Sequence, residues 1–373
     1  MKITQIPVNP FFGTAIIVQL LLYFLYLKTD SYIFLGLYFG MSFPLAARLI
    51  GARISIKFII VCGVTLISFV LFSITSKQVP VLISLYNLLY GLSALIAAYA
   101  LFKINNPVRY IKFLFWCYTV FILYHFATLG FTNPDAYNEI LSGSSRNYLS
   151  AIFILLMALL ALSFLKEKSN IPLIYPTITF LGCVGLFGRS GIALSAVLLA
   201  FCLIRQKSYK LMVFAIIAIT VFVAVNFQLI EAMLFEKTNF TNGLSSERTI
   251  FIQEYLTGIT YDPSNLLFGR RLQDCCEWII LFGNPHNSFI MGHLRYGIVH
   301  TIFSIFIILF ILWSRNLTFI FFGLIVLSRF FVDQLGLFTP FDVIIYYLMF
   351  LIYEEKTRKS QIKNQRTYSH HLV

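Results

Sequence analysis

Apolar residues in this chain fall in unbroken runs of roughly 16–25 positions, without the three-and-four spacing of a helix that buries only one face. Such runs can cross about 30 Å of hydrocarbon. They predict about twelve helices, near residues 11–27, 31–47, 58–75, 80–102, 110–130, 148–165, 171–187, 190–204, 211–230, 286–313, 317–332 and 338–353. Strands of an outer-membrane barrel would alternate over about ten residues and leave a far weaker hydropathy signal. The expected fold is therefore all-α: a polytopic bundle of about 12 transmembrane helices with a large structured loop on the outer side. Only Lys2 precedes the first run and no small-residue cleavage signature follows it, which predicts a retained signal anchor.

Composition strengthens this reading. The 373 residues are 59% hydrophobic and 12% charged, with a mean hydropathy of +0.84, more apolar area than one soluble core can bury. The formal net charge of +13 would suggest a nucleic-acid partner if the cations were scattered. They are sorted instead. With the N-terminus inside, alternate loops gather Arg48, Arg53, Lys57, Lys103, Arg109, Lys112, Lys166, Lys168, Arg205, Lys207, Lys210 and Arg315 on the cytoplasmic side, and the tail adds Lys356, Arg358, Lys359, Lys363 and Arg366. The charge therefore reports topology, with both termini cytoplasmic, and argues against nucleic acid. Residues 1–353 form one transmembrane catalytic domain in this reading, and 354–373 a basic cytoplasmic tail.

Three outer segments depart from the pattern of short links: 131–147, the tight turn at Gly188–Ser190, and 232–285. Long loops are commonly functional. In the largest, Ile250, Phe251, Tyr255, Leu256 and Ile259 recur at helical spacing, so this loop is expected to be structured and to lie on the outer leaflet. Cys62, Cys117, Cys183 and Cys202 fall in spans as small apolar residues, whereas Cys275 and Cys276 sit together outside, as two thiols or a vicinal bridge. No zinc-ligand spacing occurs.

The sharpest chemical signal is Asn284-Pro285-His286-Asn287-Ser288-Phe289. Asn284 reads as a cap and Pro285 as the first helical residue, which puts His286 in the first turn, beside unpaired N–H groups and the positive dipole end. That field keeps imidazole neutral and able to accept a proton, although a histidine there can also serve only as an interfacial cap. His293, Gly297 and His300 continue nearly the same face, a stripe of about 21 Å. Contacts with neighbouring helices account for the two deeper histidines more simply than chemistry does. Arg189 occupies the turn Phe187-Gly188-Arg189-Ser190-Gly191, Arg248 opens the helical part of the large loop, and Arg270 and Arg271 follow Gly269. Converging guanidinium groups grip a pyrophosphate bidentately without a metal. Arg146 opens the sixth span after Asp135 and Glu139, and Arg329 and Asp333 are spaced to pair.

Taken in order, Gly188-Arg189-Ser190-Gly191, Ser246-Glu247-Arg248, Leu267-Phe268-Gly269 and Pro285-His286-Asn287-Ser288-Phe289 followed by Gly297 resemble the O-antigen polymerase and ligase superfamily. Chain size and the Pro-His-Asn-Ser-Phe wording resemble the Wzy-type polymerases more than the ligases. The resemblance implies an inner-membrane glycosyltransferase of the GT-C type, working on the periplasmic face without metal or other cofactor. It would move a growing glycan from one undecaprenyl pyrophosphate to the non-reducing end of another lipid-linked repeat unit, in lipopolysaccharide O-antigen biosynthesis. His286, Arg189 and Arg248 take the catalytic roles under this resemblance. Arg270, Arg271, Asn287, Tyr255, Arg146 and His293 contact substrate, with Trp278 a further sugar platform. Membrane lipids and a chain-length regulator protein are the implied partners besides the lipid-linked oligosaccharide. A ligase would differ in its acceptor, lipid A-core. A flippase would place its polar groups at the bilayer midplane and often shows internal repeats, which this sequence lacks.

Overall fold

The computed structural model describes residues 10–50, 56–77, 81–208, 210, 247–271 and 285–370. Among them every regular element is helical. In chain order these are α1 (Pro10–Thr29), α2 (Tyr32–Ile50), α3 (Ile56–Thr75), α4 (Val81–Lys103), α5 (Pro107–Leu129), a 3-10 turn (Pro134–Glu139), α6 (Arg146–Lys166), α7 (Ile174–Gly185) and α8 (Arg189–Arg205). After an interval come α9 (Glu247–Tyr261), α10 (Pro263–Phe268), α11 (Ser288–Tyr296), α12 (Ile298–Trp313), α13 (Leu317–Val332) and α14 (Asp342–His370). Five of them, Pro10–Thr29, Tyr32–Leu49, Val81–Lys103, Pro107–Leu129 and Arg146–Lys166, are long and apolar enough to cross a membrane, and the stretch Ile59–Thr75 of α3 and the helices α7, α12 and α13 are shorter and apolar. The chain is thus a helical, multi-pass membrane protein. The expected span at 211–230 lies outside the described residues, as do 232–246 and 272–284 of the large loop with Cys275, Cys276 and Trp278.

Helix α6 is the axis of the bundle. It is apolar on every face, so it has no side to give to water and can be enclosed by other helices at no polar cost. Of its span, 83% is buried, among α5, α7, α8, α13 and α14. At its far end Lys166 donates to the carbonyls of Leu101, Phe102 and Ile104, satisfying the C-terminus of α4 where a cation also meets the negative dipole end. Small buried residues on α4 (Gly91, Ala94, Ala97, Ala98) allow close packing against α14.

One predicted element is corrected. The run 286–313 is not a single helix: it is broken at Gly297, which has φ 57° and ψ −146°, into α11 and α12. The Gly297 N–H closes α11 on the His293 carbonyl, and a Cβ at 297 would stand 1.9 Å from the Leu267 carbonyl oxygen. Only glycine adopts this backbone under so close a neighbour. The space beside Gly297 is occupied by the Leu267-Phe268 backbone. His286, His293, Gly297 and His300 do not form one face. Apolar residues continue across the break, so hydropathy carries no sign of it.

Candidate functional site

Three helices of the bundle begin beside one another. Gly188 precedes α8, and Phe187 before it takes a positive φ of 57°, the left-handed ending of α7. Gly191 lets α8 close on α6, since a Cβ there would lie 2.5 Å from the Ser150 hydroxyl. Arg189 is consequently the first residue of α8, half-buried, and Arg146 is the first residue of α6. A cation at a helix N-terminus opposes the macrodipole, so neither arginine is there to stabilise its helix; together with the first-turn N–H groups they make these ends attractive to anions. Arg146 also lies 3.5 Å from the Asp135 carboxylate, and its N–H donates to Asn138 at 2.9 Å, tying the 131–147 segment to the start of α6.

Arg329 joins these starts. Its guanidinium is fully buried and donates to the Ser190 hydroxyl (2.7 Å), to the Asn147 carbonyl (3.0 Å) and to the Asp333 carboxylate. The pairing of Arg329 with Asp333 read from their spacing is therefore present, and it reaches two further helices. The third start is α11. Ser288 Oγ donates to the Asp333 carbonyl at 2.9 Å and accepts from the N–H groups of Leu335 and Gly336. The loop beyond is held by Asp342, buried, whose carboxylate accepts from the N–H groups of Leu337, Phe338 and Thr339. A single hydrogen-bonded chain thus runs from the Gly188–Gly191 turn, through Arg329 and Asp333, to Ser288 and the Pro285–Asn287 link.

His286 is not in the first turn of its helix, and Asn284-Pro285 does not start it. Asn287 is the cap: its Oδ1 accepts from Phe289 N–H (2.9 Å) and Ile290 N–H (3.1 Å), which two-donor geometry fixes α11 to begin at Ser288. His286 precedes the cap at φ 44°. Five of the other described non-glycine residues with positive φ, Asp30, Phe187, Lys168, Lys207 and Arg315, follow helix C-termini, where that conformation is ordinary. At His286 it is strain in the link that enters α11, the kind of cost that gathers at functional sites. Asn287 is 2% exposed, and among the described residues its Nδ2 has no hydrogen-bond partner.

The remaining candidates build a layer over α11. Burial pushes the Tyr255 phenol above its ordinary range, so it is a donor; it gives its proton to His293 Nδ1, while His293 Nε2–H donates to the Leu266 carbonyl at 2.9 Å. Both His293 ring nitrogens are thereby committed, and Tyr255 and His293 pin α9 and α10 to α11. Arg270 lies over Gly258 and donates to the Glu254 carbonyl, and Arg271 donates to the Lys77 carbonyl at 3.1 Å. Arg248 stands in the first turn of α9, with its side chain outside the described residues. His300, on the other side of the break, is fully buried against Tyr296 and Phe338.

The structure therefore brings Arg146, Arg189, Asn287 and the His286 link to one junction, and sets Tyr255, His293, Arg270 and Arg271 in the layer beside it. Sequence reasoning missed Lys77, which donates to Asp262 (2.8 Å), Ser264 and Asn265 (2.7 Å) and so clamps the α9–α10 corner to the end of α3. Its signal was present: a cation in an outer link where cations are scarce. Among the described residues no cluster of three His, Cys, Asp or Glu side chains forms a metal-binding group. Comparison of the chain with protein-family models, with curated proteins and with solved structures gives no match.

Proposed function

We propose that this protein is a Wzy-type O-antigen polymerase, a periplasmic-face glycosyltransferase of the inner membrane. What carries the reading is the meeting of three helix N-termini around Arg329, two of them beginning with an arginine. Such a junction suits an anion of the size of a pyrophosphate. In the proposed reaction the acceptor hydroxyl of one lipid-linked repeat unit attacks the anomeric carbon of the growing glycan. The new C–O bond forms as the bond to pyrophosphate oxygen breaks, and undecaprenyl pyrophosphate departs with both bonding electrons. Arg189 and Arg248 stabilise that departing charge, with Arg146 beside the same junction, and His286 takes or orients the hydroxyl proton. Tyr255, His293, Arg270 and Arg271 hold the covering layer, so substrate reaches them as shape more than as free donors.

The test is direct. Purified protein in liposomes, given synthetic undecaprenyl pyrophosphate repeat units, produces a ladder of carrier-linked oligomers. His286→Ala lowers ladder formation by about a hundredfold or more with the melting temperature unchanged. A wild-type ladder from that variant removes His286 from the chemistry. Product found only on added lipid A-core replaces the proposal with a ligase, and movement of substrate across the bilayer without bond formation replaces it with a flippase.

A further inference from the structure

The opposite end of the bundle carries a groove that the proposed chemistry does not use. Arg146 and Glu167 mark the two ends of α6, about 30 Å apart at 1.5 Å per residue. Around Glu167 an open groove of about 620 Å³ is lined by Asn106, Arg109, Lys112, Phe113, Trp116 and Glu167. Arg109, Lys112, Phe113 and Trp116 stand at i, i+3, i+4 and i+7 on α5, so they share one face. The two cations occupy the first turns, and Trp116 lies about 10 Å further into the bundle's apolar belt than Arg109. Arg109, Lys112 and Phe113 are exposed, and among the described residues neither cation forms an ion pair. The one carboxylate in the groove is engaged, because Glu167 Oε1 accepts the Val108 N–H at 2.9 Å. The groove thus retains a net positive rim, beside the positive end of α5, and continues into an aromatic wall facing the hydrocarbon.

We propose that this groove is a binding site for an anionic phospholipid of the leaflet at the basic end of the bundle. The phosphate sits between Arg109 and Lys112, and the glycerol and upper acyl chain lie along Phe113 and Trp116. A soluble anion would have no use for the aromatic wall. A zwitterionic lipid would carry its own cation into a rim that already holds two. This inference stands apart from the polymerase reading, since it concerns neither the junction nor its substrate.

The experiment uses full-length protein in nanodiscs of equal phosphatidylcholine and phosphatidylglycerol, released into mild detergent and weighed by native mass spectrometry. Phosphatidylglycerol is retained in preference to phosphatidylcholine. The Arg109→Gln/Lys112→Gln pair lowers that retention by about thirtyfold, the loss of two cation–headgroup contacts. Arg358→Gln/Lys359→Gln, which removes the same charge from the tail, leaves it within about twofold. Trp116→Ala keeps the rim and loosens the diacyl lipid while leaving binding of glycerol phosphate unchanged. Equal retention of the two lipids overturns the proposal, as does undiminished retention in the Arg109/Lys112 variant at a wild-type melting temperature. Inorganic phosphate displacing the lipid as effectively as free phosphatidylglycerol does would instead mark a site for water-soluble anions and overturn it too.

Discussion

Arg329 and Lys77 do the same job in two different solvents. Each cation holds one carboxylate and two neutral oxygens from other parts of the chain: Asp333, Ser190 and Asn147 for Arg329, and Asp262, Ser264 and Asn265 for Lys77. The side chains of the first ion pair are 0% and 7% exposed, those of the second 33% and 52%. Burial decides what each is worth. Desolvation cancels much of the attraction in a buried pair, so Arg329 contributes register among α6, α8 and α13 more than net stability, yet loss of either partner strands a charge. The Lys77 pair is screened by water, and its value is to keep one corner of the outer layer in place.

The largest effect is therefore expected at Arg329. Arg329→Met leaves Asp333 buried without its cation and should cost about 3–5 kcal/mol, read as a lower melting temperature in detergent together with loss of ladder formation. Arg329→Met/Asp333→Asn should recover a good part of the stability and little of the activity, because the charge is no longer stranded but Ser190 and Asn147 remain untethered. Equal loss in the single and double variants would show that the penalty comes from packing and would break the contrast with Lys77.

An intermediate effect is expected where the outer layer meets the bundle through backbone alone. Gly297→Ala brings a methyl group against the Leu267 carbonyl in a conformation only glycine takes readily, with an expected cost of about 1–3 kcal/mol. The damage should fall first on α9 and α10, measured as faster proteolysis between residues 247 and 271 while the α1–α6 helices stay protected. Uniform loss of protection would mean that the layer and the bundle unfold as one unit.

Local signals made much of this architecture legible. Apolar runs located the helices, and Asn106-Pro107 and Asp262-Pro263 mark the starts of α5 and α10 through the absent proline N–H and, at Asp262, a side chain that accepts from Ser264. The α9 helix follows from its own spacing, although only Phe251 and Tyr255 of its apolar residues are fully buried. What stayed illegible needs distant partners. The bonds from Arg329 to Ser190 and Asn147 bridge 139 and 182 positions, and hydropathy cannot register a break at Gly297 that Leu267 imposes from another segment. At the candidate site two overlapping cap signals, Asn284-Pro285 and Asn287-Ser288, compete, and the second starts α11 because its side chain satisfies two N–H groups. The motif was in the sequence; the side of the helix start on which His286 falls was not.

The smallest effect should appear at Lys77, and pH isolates it. Hydrogen bonds from Lys77 and then from Ser264 hold the Asp262 carboxyl down to about 2. A carboxyl depressed in the folded state adds stability at pH values above its ordinary range near 4, and loses it as pH falls through the folded value. Between about pH 4 and pH 2 the α9–α10 corner should therefore loosen. Pepsin, active across that range, reports the change as faster cutting at the exposed Leu266–Leu267 bond. With rates scaled at each pH to those of an unstructured reference peptide, Asp262→Asn should raise cleavage at pH 4 to the wild-type level at pH 2 and abolish the pH step, with no change in the global melt. A step that survives in Asp262→Asn would transfer the sensitivity to another acid and leave Lys77 as an ordinary surface contact.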